Sequence, residues 1–329
     1  MTSPFRPTTN RKNSTACPPR LEPGLTVGLT DQLSVNAGLV LQPVQDPAVA
    51  GDDRVFDDQG FFVEVLTLDY EAVPVHLFGG KMHVNFANAW DVTPGVYGTD
   101  LAEEYEMAEN IGLGGAYSFE TGEARTHTIT AQTFFLDTSG LAESAFTQRK
   151  KTREGDGGPG NTGSFKSFAV SLDGGNIAAL KGFSYHAAYV HHTNDTVSAE
   201  NESRFAVNGA YEFALPGDIT AQPSVEYVRF DDADGTQDQD RTYLTAALAF
   251  TYGDWNMAFS GTFKETEAAD GTETDESNCR SWRVMHSPTA SVPTSPTSGP
   301  ATPASILTHS ERCCLMGLNF NPLTNQNEG

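Results

Sequence analysis

Cysteine is missing from the whole middle of the chain. Of four in 329 residues, Cys17 stands near the N-terminus, and Cys279, Cys313 and Cys314 stand near the other end. No C-x-x-C pair or other metal-ligand spacing occurs, so no zinc module or disulfide framework organises the middle. A cysteine-free body between cysteine-bearing ends suggests that the ends differ from it in origin. Basic residues are also scarce. Twenty Lys and Arg stand against 43 Asp and Glu, a formal net charge of −23. That excludes a nucleic-acid binder, which needs cations to replace the counterions of phosphates. It suits a secreted or surface protein, an acidic pore or a very soluble one. Long apolar runs are absent as well, and none approaches the ~18 residues of a transmembrane helix. What remains is a soluble fold or a closed barrel, the other way to cross a bilayer with every backbone group paired. Catalytic signatures are lacking too: there is no G-x-S-x-G, Walker loop, H-E-x-x-H or dinucleotide fingerprint. The reading is a non-enzyme with no cofactor and no metal.

Composition divides the chain into three. Residues 1–23 are polar and rich in Pro, Thr and Arg, with no apolar segment of the kind a secretory signal needs. Residues 267–329 carry a Ser/Pro/Thr-rich stretch with too little apolar surface to offset the entropy of folding, which predicts a disordered tail. The body is 24–266.

In the body, apolar residues recur at every second position, the signature of a strand with two unlike faces. Leu33, Val35, Ala37, Leu39 and Leu41 alternate with Ser34, Asn36, Gly38 and Gln42. Phe205, Val207, Tyr211 and Phe213 alternate with Arg204, Asn208 and Glu212, and Val225 and Tyr227 with Ser224 and Glu226. Trp255, Met257, Phe259 and Phe263 oppose Asn256, Ser260, Thr262 and Lys264. Ile111, Leu113, Tyr117 and Phe119 alternate with Gly112, Gly114, Ala116 and Ser118. With less regular segments near 25–30, 61–70, 74–83, 124–135, 165–172, 182–192 and 241–252, about 12 strands are predicted.

The links between them alternate in length. Short ones fall at Thr30–Gln32, Glu71–Val73, Thr121–Gly122, Pro216–Gly217 and Gly253–Asp254, with a medium one at Asp173–Lys181. Long polar ones lie near 43–60, 84–109, 136–164, 193–203 and 231–240. An up-and-down barrel sorts odd and even links to opposite rims, and membrane barrels keep one rim short. A Greek-key sandwich has no reason to do so. The predicted fold is all-β, an antiparallel up-and-down transmembrane barrel with disordered flanks. Aromatics such as Tyr117, Phe119, Phe183, Tyr185, Phe213, Tyr252 and Trp255 fall near strand ends, as interfacial girdles require. Taken alone, a polar strand face does not separate a lumen from a solvated sheet surface.

Gly79-Gly80-Lys81 closes a strand and is followed by Asn85-Phe86-Ala87-Asn88-Ala89-Trp90-Asp91, Pro94 to Asp100 and the acidic Glu103-Glu104-Tyr105-Glu106. On these residues the body resembles Gram-negative outer-membrane porins, especially porin-like proteins of the alphaproteobacterial type. The resemblance implies residence in the outer membrane, lipid and lipopolysaccharide as neighbours, passage of small hydrophilic solutes or ions, and a homotrimer. It also implies an export signal, a full ring of strands and a final strand ending in an aromatic residue. None of these three is visible, which predicts a barrel truncated at both ends.

The 84–109 segment is the candidate functional element. Asp100 with Glu103 forms a capping box that opens a short helix. Such a helix presents Glu103, Glu104 and Glu106, with Asp91 and Asp100 nearby. Folded into a lumen, these five carboxylates form a constriction that favours cations. Lys81, Arg204, Arg241 and Lys264 form the candidate basic wall opposite. Arg149, Lys150, Lys151 and Arg153 read as an external basic loop, either solvated or in contact with lipopolysaccharide phosphates. His191 and His192 point to opposite faces and share no metal inside a barrel. The acidic run Asp231–Asp240 lacks the spacing of an EF-hand.

The expected function is a porin-like channel for passive diffusion of small hydrophilic solutes, with a preference for cations. The alternatives are a structural or adhesive outer-membrane barrel, a soluble β-sandwich binding protein, and a non-functional porin fragment.

Overall fold

The computed structural model describes residues 21–45, 57–89, 100–122, 126–177, 180–253, 255–285 and 306–309. The strands are β1 (Glu22–Gly28), β2 (Leu33–Pro43), β3 (Gln59–Ala72), β4 (Val75–Met82), β5 (Asn110–Glu120) and β6 (Thr126–Leu136). There follow β7 (Ala145–Phe146), β8 (Ser167–Ile177), β9 (Leu180–His192), β10 (Glu202–Tyr211) and β11 (Phe213–Leu215). The last are β12 (Ile219–Asp231), β13 (Asp240–Tyr252), β14 (Trp255–Glu267), β15 (Glu273–Met285) and β16 (Ile306–His309). A one-turn helix, Asp100–Glu103, interrupts the β4–β5 connection.

All strands join one antiparallel sheet in the order β15-β14-β13-β12-β10-β9-β8-β6-β5-β4-β3-β2-β1-β16, with β11 on β12 and β7 on β3. Apart from β16 on β1 and the two-residue β7 on β3, the long strands pair in chain order, so the topology is up-and-down. Among the described residues β15 and β16, the two ends of the sheet, do not pair.

The link alternation holds and sharpens. The medium link shrinks to residues 178–179, because β8 runs on to Ile177 and β9 starts at Leu180. The tight turns use left-handed backbone, at Gly217 (φ 86°) and Gly253 (φ 52°), where a Cβ would be strained. The strand ends joined by links 44–58, 83–109, 137–166, 193–201 and 232–239 share the other rim.

The twelve strands expected in the body are present as β1–β6, β8–β10 and β12–β14, with short β7 and β11 added, but the sheet does not stop at Thr266. Strand β15 pairs with β14 from Glu267↔Glu273 to Trp255↔Met285, and β16 pairs with β1 from Glu22↔His309 to Leu25↔Ile306. The reason is that strand pairing uses backbone groups, which β14 offers along its edge whatever side chains lie opposite. A polar run such as Glu273-Thr-Asp-Glu-Ser277 shows no apolar alternation, so periodicity passes over it.

The two faces of the sheet are the reverse of those in a soluble protein. On β12, Glu226 is 1% exposed and the next residue, Tyr227, 38%. On β14, Ser260, Thr262 and Lys264 are buried while Met257, Phe259 and Phe263 are exposed. The same holds on β10, with Asn208 buried between exposed Phe205 and Val207 and the half-buried Gly209. The polar face looks inward and the apolar face outward.

Aromatic rings gather on the outward face at both rims. At the short-turn rim, ring contacts run from Tyr117 to Phe119, on to His127 and Tyr185, and to Phe183. Tyr211 and Phe213 stack nearby, and Tyr252 and Trp255 face each other across the β13–β14 turn. At the opposite rim Phe135 meets Phe165, and Phe168 meets Tyr189 and His191. His192, next in sequence to His191, turns inward to Glu202.

The hydrophobic core lies inside the curved sheet. Phe86, Ala102, Tyr105 and Met107 of the β4–β5 connection pack on Val190, Ala206, Val228, Phe230 and Tyr243 of the wall.

Candidate functional site

The β4–β5 connection folds back against the inner wall, and each anchor has a physical reason. Val84 N–H donates to Met107 O at 3.0 Å and closes the base of the loop. Its apolar residues find partners in the few apolar inward positions: Phe86 packs on Phe230 and Tyr105 meets Tyr243 edge-on, 5.1 Å between centroids. Its polar groups meet the polar wall. Asn85 donates through Nδ2 to Ser171 Oγ at 2.7 Å and to Asp173 at 2.9 Å. Asn88 N–H and Ala89 N–H donate to the Glu226 carboxylate. His186 places Nε2 on Phe86 O and Nδ1 on Asp173, 2.7 Å away. The Tyr105 hydroxyl meets Thr245 Oγ1 at 2.9 Å. Burial and the nearby Glu226 carboxylate push the Tyr105 phenol well up, so it stays a neutral hydroxyl.

The five candidate carboxylates are arranged unequally. Asp91 lies outside the described residues. Asp100 begins the one-turn helix, and Glu103 at its end is exposed. Glu104 accepts from Lys264 Nζ at 2.8 Å and from the Tyr243 hydroxyl at 2.9 Å. Glu106 lies 4.0 Å from His83 Nδ1.

The four candidate cations separate into two groups. Arg204 and Arg241 stand at one height, because both pair in register with Phe230. Lys264 pairs with Tyr243, two residues along from Arg241. Arg204 bonds Glu202 at 2.6 Å and lies over the Phe230 ring, and Arg241 pairs with Asp234. Lys81 is elsewhere. Its fully buried ammonium meets Glu109 at 2.7 Å, Asp137 at 2.8 Å and Leu141 O at 3.2 Å.

Arg149 corrects the reading of an external basic loop. It forms a fork on both Glu109 oxygens, donates to Ala142 O at 2.8 Å and covers the Phe62 ring. The 137–166 connection folds onto the barrel rim through β7, which carries Arg149 back to the base of the neighbouring loop. Lys151 bonds Ser139 O and Glu143. In the 232–239 loop, Asp234 pairs with Arg241 and Asp232 accepts Asp238 N–H, while flanking Asp231 and Asp240 pair with Arg229.

Burial raises the pKa of Glu109, but the hydrogen bonds and charges of Arg149 and Lys81 outweigh it and hold the carboxyl low. Burial likewise opposes, and Lys81 and Ser139 overcome, at Asp137, which is also held low. Lys81, Glu109, Asp137 and Arg149 therefore form a charged network tying together three separate segments.

Sequence reasoning missed Glu226, His186, Asp173, Glu109 and Asp137 as anchors. A signal existed for the first three, each an ionisable residue in the middle of a strand's polar face. Their partners lie 137, 100 and 88 residues away in sequence, so no local pattern joins them.

No protein-family model matches the chain, and no curated protein matches its sequence. Solved structures of similar shape include OmpT, an outer membrane protein of Vibrio cholerae, at 11% identity and TM-score 0.42, covering 80% of this chain and 78% of that one. OccAB4 of Acinetobacter baumannii is 11% identical with TM-score 0.40, covering 78% of this chain and 62% of that one. OccD3 (OpdP) of Pseudomonas aeruginosa is 11% identical with TM-score 0.38, covering 80% and 67%.

Proposed function

We propose that this chain forms a porin-like outer-membrane channel through which small hydrophilic solutes diffuse passively. One observation carries the proposal: the outward face is apolar and exposed while the inward face is polar and buried. In water such an outside would be a hydrophobic patch far larger than soluble monomers expose. In a bilayer it is the lipid-facing band, and the two aromatic rims match the interfaces. A soluble β-sandwich would bury the face that is exposed here.

The mechanism is sieving. The β4–β5 connection occupies part of the lumen and narrows it, held by wall groups rather than by its own short helix. Glu104 is neutralised by Lys264, so the exposed Glu103, with Glu106 beside it, supplies the negative field that favours cations over anions. The short-turn rim faces the periplasm, the long-link rim and its charged loops face outward toward lipopolysaccharide, and the assembled form is a homotrimer.

Planar-bilayer recording of the refolded full chain tests this. Stepwise conductance is expected, with a reversal potential under a salt gradient that indicates cation preference. Glu103→Gln should reduce that preference. Absence of conductance steps from protein that has inserted refutes the channel.

A further inference from the structure

On the short-turn side of the β4–β5 connection the lumen contains a recess of about 350 Å³. This lies within the range of roughly 300–1,000 Å³ typical of small-molecule sites. Its ceiling is Asn88 of the inserted loop, and its walls are residues toward the short-turn ends of β6, β8, β9, β10 and β12.

Gly174, Gly175 and Ala210 leave part of the wall without polar side chains, and the polar side chains that remain are mostly of one kind. Thr126 and Thr128 of β6, Asn208 of β10, and Gln222 and Ser224 of β12 supply hydroxyls and carboxamides. Each of these groups both donates and accepts hydrogen bonds. Among the described residues that line it, the one carboxylate is Asp173, already held by His186 and Asn85. Glu226, which borders the recess, already accepts from Asn88 N–H, Ala89 N–H and Asn208 Nδ2, and the paired Arg204 and Arg241 lie toward the other rim.

A second observation points to a ligand. Among the described residues, Ser224 Oγ and Asn88 Oδ1 are buried with no hydrogen-bond partner, and both residues line the recess. Ser224 is only 8% exposed. Buried polar groups ordinarily find partners, and leaving one without costs about 1–3 kcal/mol. The loop ceiling and the β12 wall thus each offer an unsatisfied group to the same space.

We propose that this recess is a binding subsite for a small neutral polyhydroxylated solute of mono- or disaccharide size. Neutral hydroxyls and carboxamides match a ligand whose own groups are hydroxyls, and a net ionic charge would find no free counter-charge there. A sugar hydroxyl donating to Asn88 Oδ1 and another pairing with Ser224 Oγ would satisfy both orphaned atoms. The proposal rests on the channel reading, since the solute reaches the recess through the lumen.

The test uses the full chain refolded in detergent, with radiolabelled sucrose in equilibrium dialysis, and the same preparation in planar bilayers. Saturable sucrose binding is expected, weakened about three- to tenfold by Ser224→Ala and by Gln222→Leu, the effect of losing one hydrogen bond. Val225→Ala, on the outward face, should bind as the parent does. Sodium gluconate at the same concentration should not compete. Conductance without saturable sucrose binding overturns the subsite and leaves the channel standing. Sucrose binding without conductance keeps the subsite and refutes the channel. Binding that both wall variants leave unchanged, or that gluconate displaces, overturns the subsite as placed.

Discussion

Glu226 on β12 receives the backbone N–H of Ala89 on both carboxylate oxygens, at 3.0 and 3.1 Å, and that of Asn88 at 2.9 Å. A wall carboxylate thus holds the inserted loop at Asn88 and Ala89 by the main chain. At these two residues the hold is on the main chain, whereas Asn85, Phe86 and Tyr105 anchor the loop through their side chains.

Glu226→Ala should release the loop at Asn88 and Ala89. Each charge-assisted hydrogen bond contributes about 1.5–3 kcal/mol, so amide exchange at Asn88 and Ala89 should speed up by an order of magnitude or more. Strand amides at Val225 and Tyr227 should keep their protection. Unchanged exchange at both loop amides would show that the carboxylate is not the anchor.

Lys81→Met removes the buried cation between Glu109 and Asp137. Leaving two carboxylates with one cation, Arg149, fewer than they need should cost about 3–5 kcal/mol. A urea titration of the detergent-refolded protein reads this as a lower unfolding midpoint. Adding Asp137→Asn to the same chain should recover part of the loss, because one orphaned charge is gone. Equal midpoints for all three proteins would count against the network.

Acid should weaken the same network. Glu109 and Asp137 have folded-state values below their ordinary 4.5 and 3.8. A depressed carboxylate contributes stability that is fully present above its unfolded value and is lost as pH falls through the folded one. Unfolding temperature should therefore hold from neutral pH to about pH 5 and drop below pH 4. In Asp137→Asn the drop should be shallower, and a drop that is equally steep would place the acid sensitivity elsewhere.

The outward face makes its own prediction. Phe259 is 45% exposed at mid-strand on β14. If that face meets lipid, Phe259→Arg should cost about 2–4 kcal/mol of folding into vesicles. In a water-facing sheet the same change would be near neutral. Refolding titrations into phosphatidylcholine vesicles separate the two outcomes.

Much of the fold was legible because a strand's side chains alternate with period two, so Ser224/Val225/Glu226/Tyr227 announces two unlike faces without any partner. Turn chemistry was equally local, as at Pro216-Gly217 and Gly253. What alternation cannot say is which face meets water. β15 was hidden for a related reason, since its polar run Glu273–Ser277 carries no period while its backbone pairs fully with β14.

The sequence by itself determined strands, their order and the sorting of short and long links, because each depends on residues within a few positions of one another. It also supplied the acidic loop, with Glu103, Glu104 and Glu106 in place. Only the tertiary structure decided that the polar face is buried and the apolar face exposed, because that depends on which way the whole sheet curves. It also decided that Glu104 is spent on Lys264, that Arg149 leaves the surface for Glu109, and that Glu226 holds Ala89. Those contacts join residues 40 to 160 positions apart, and charge pairing across such distances has no trace in local pattern.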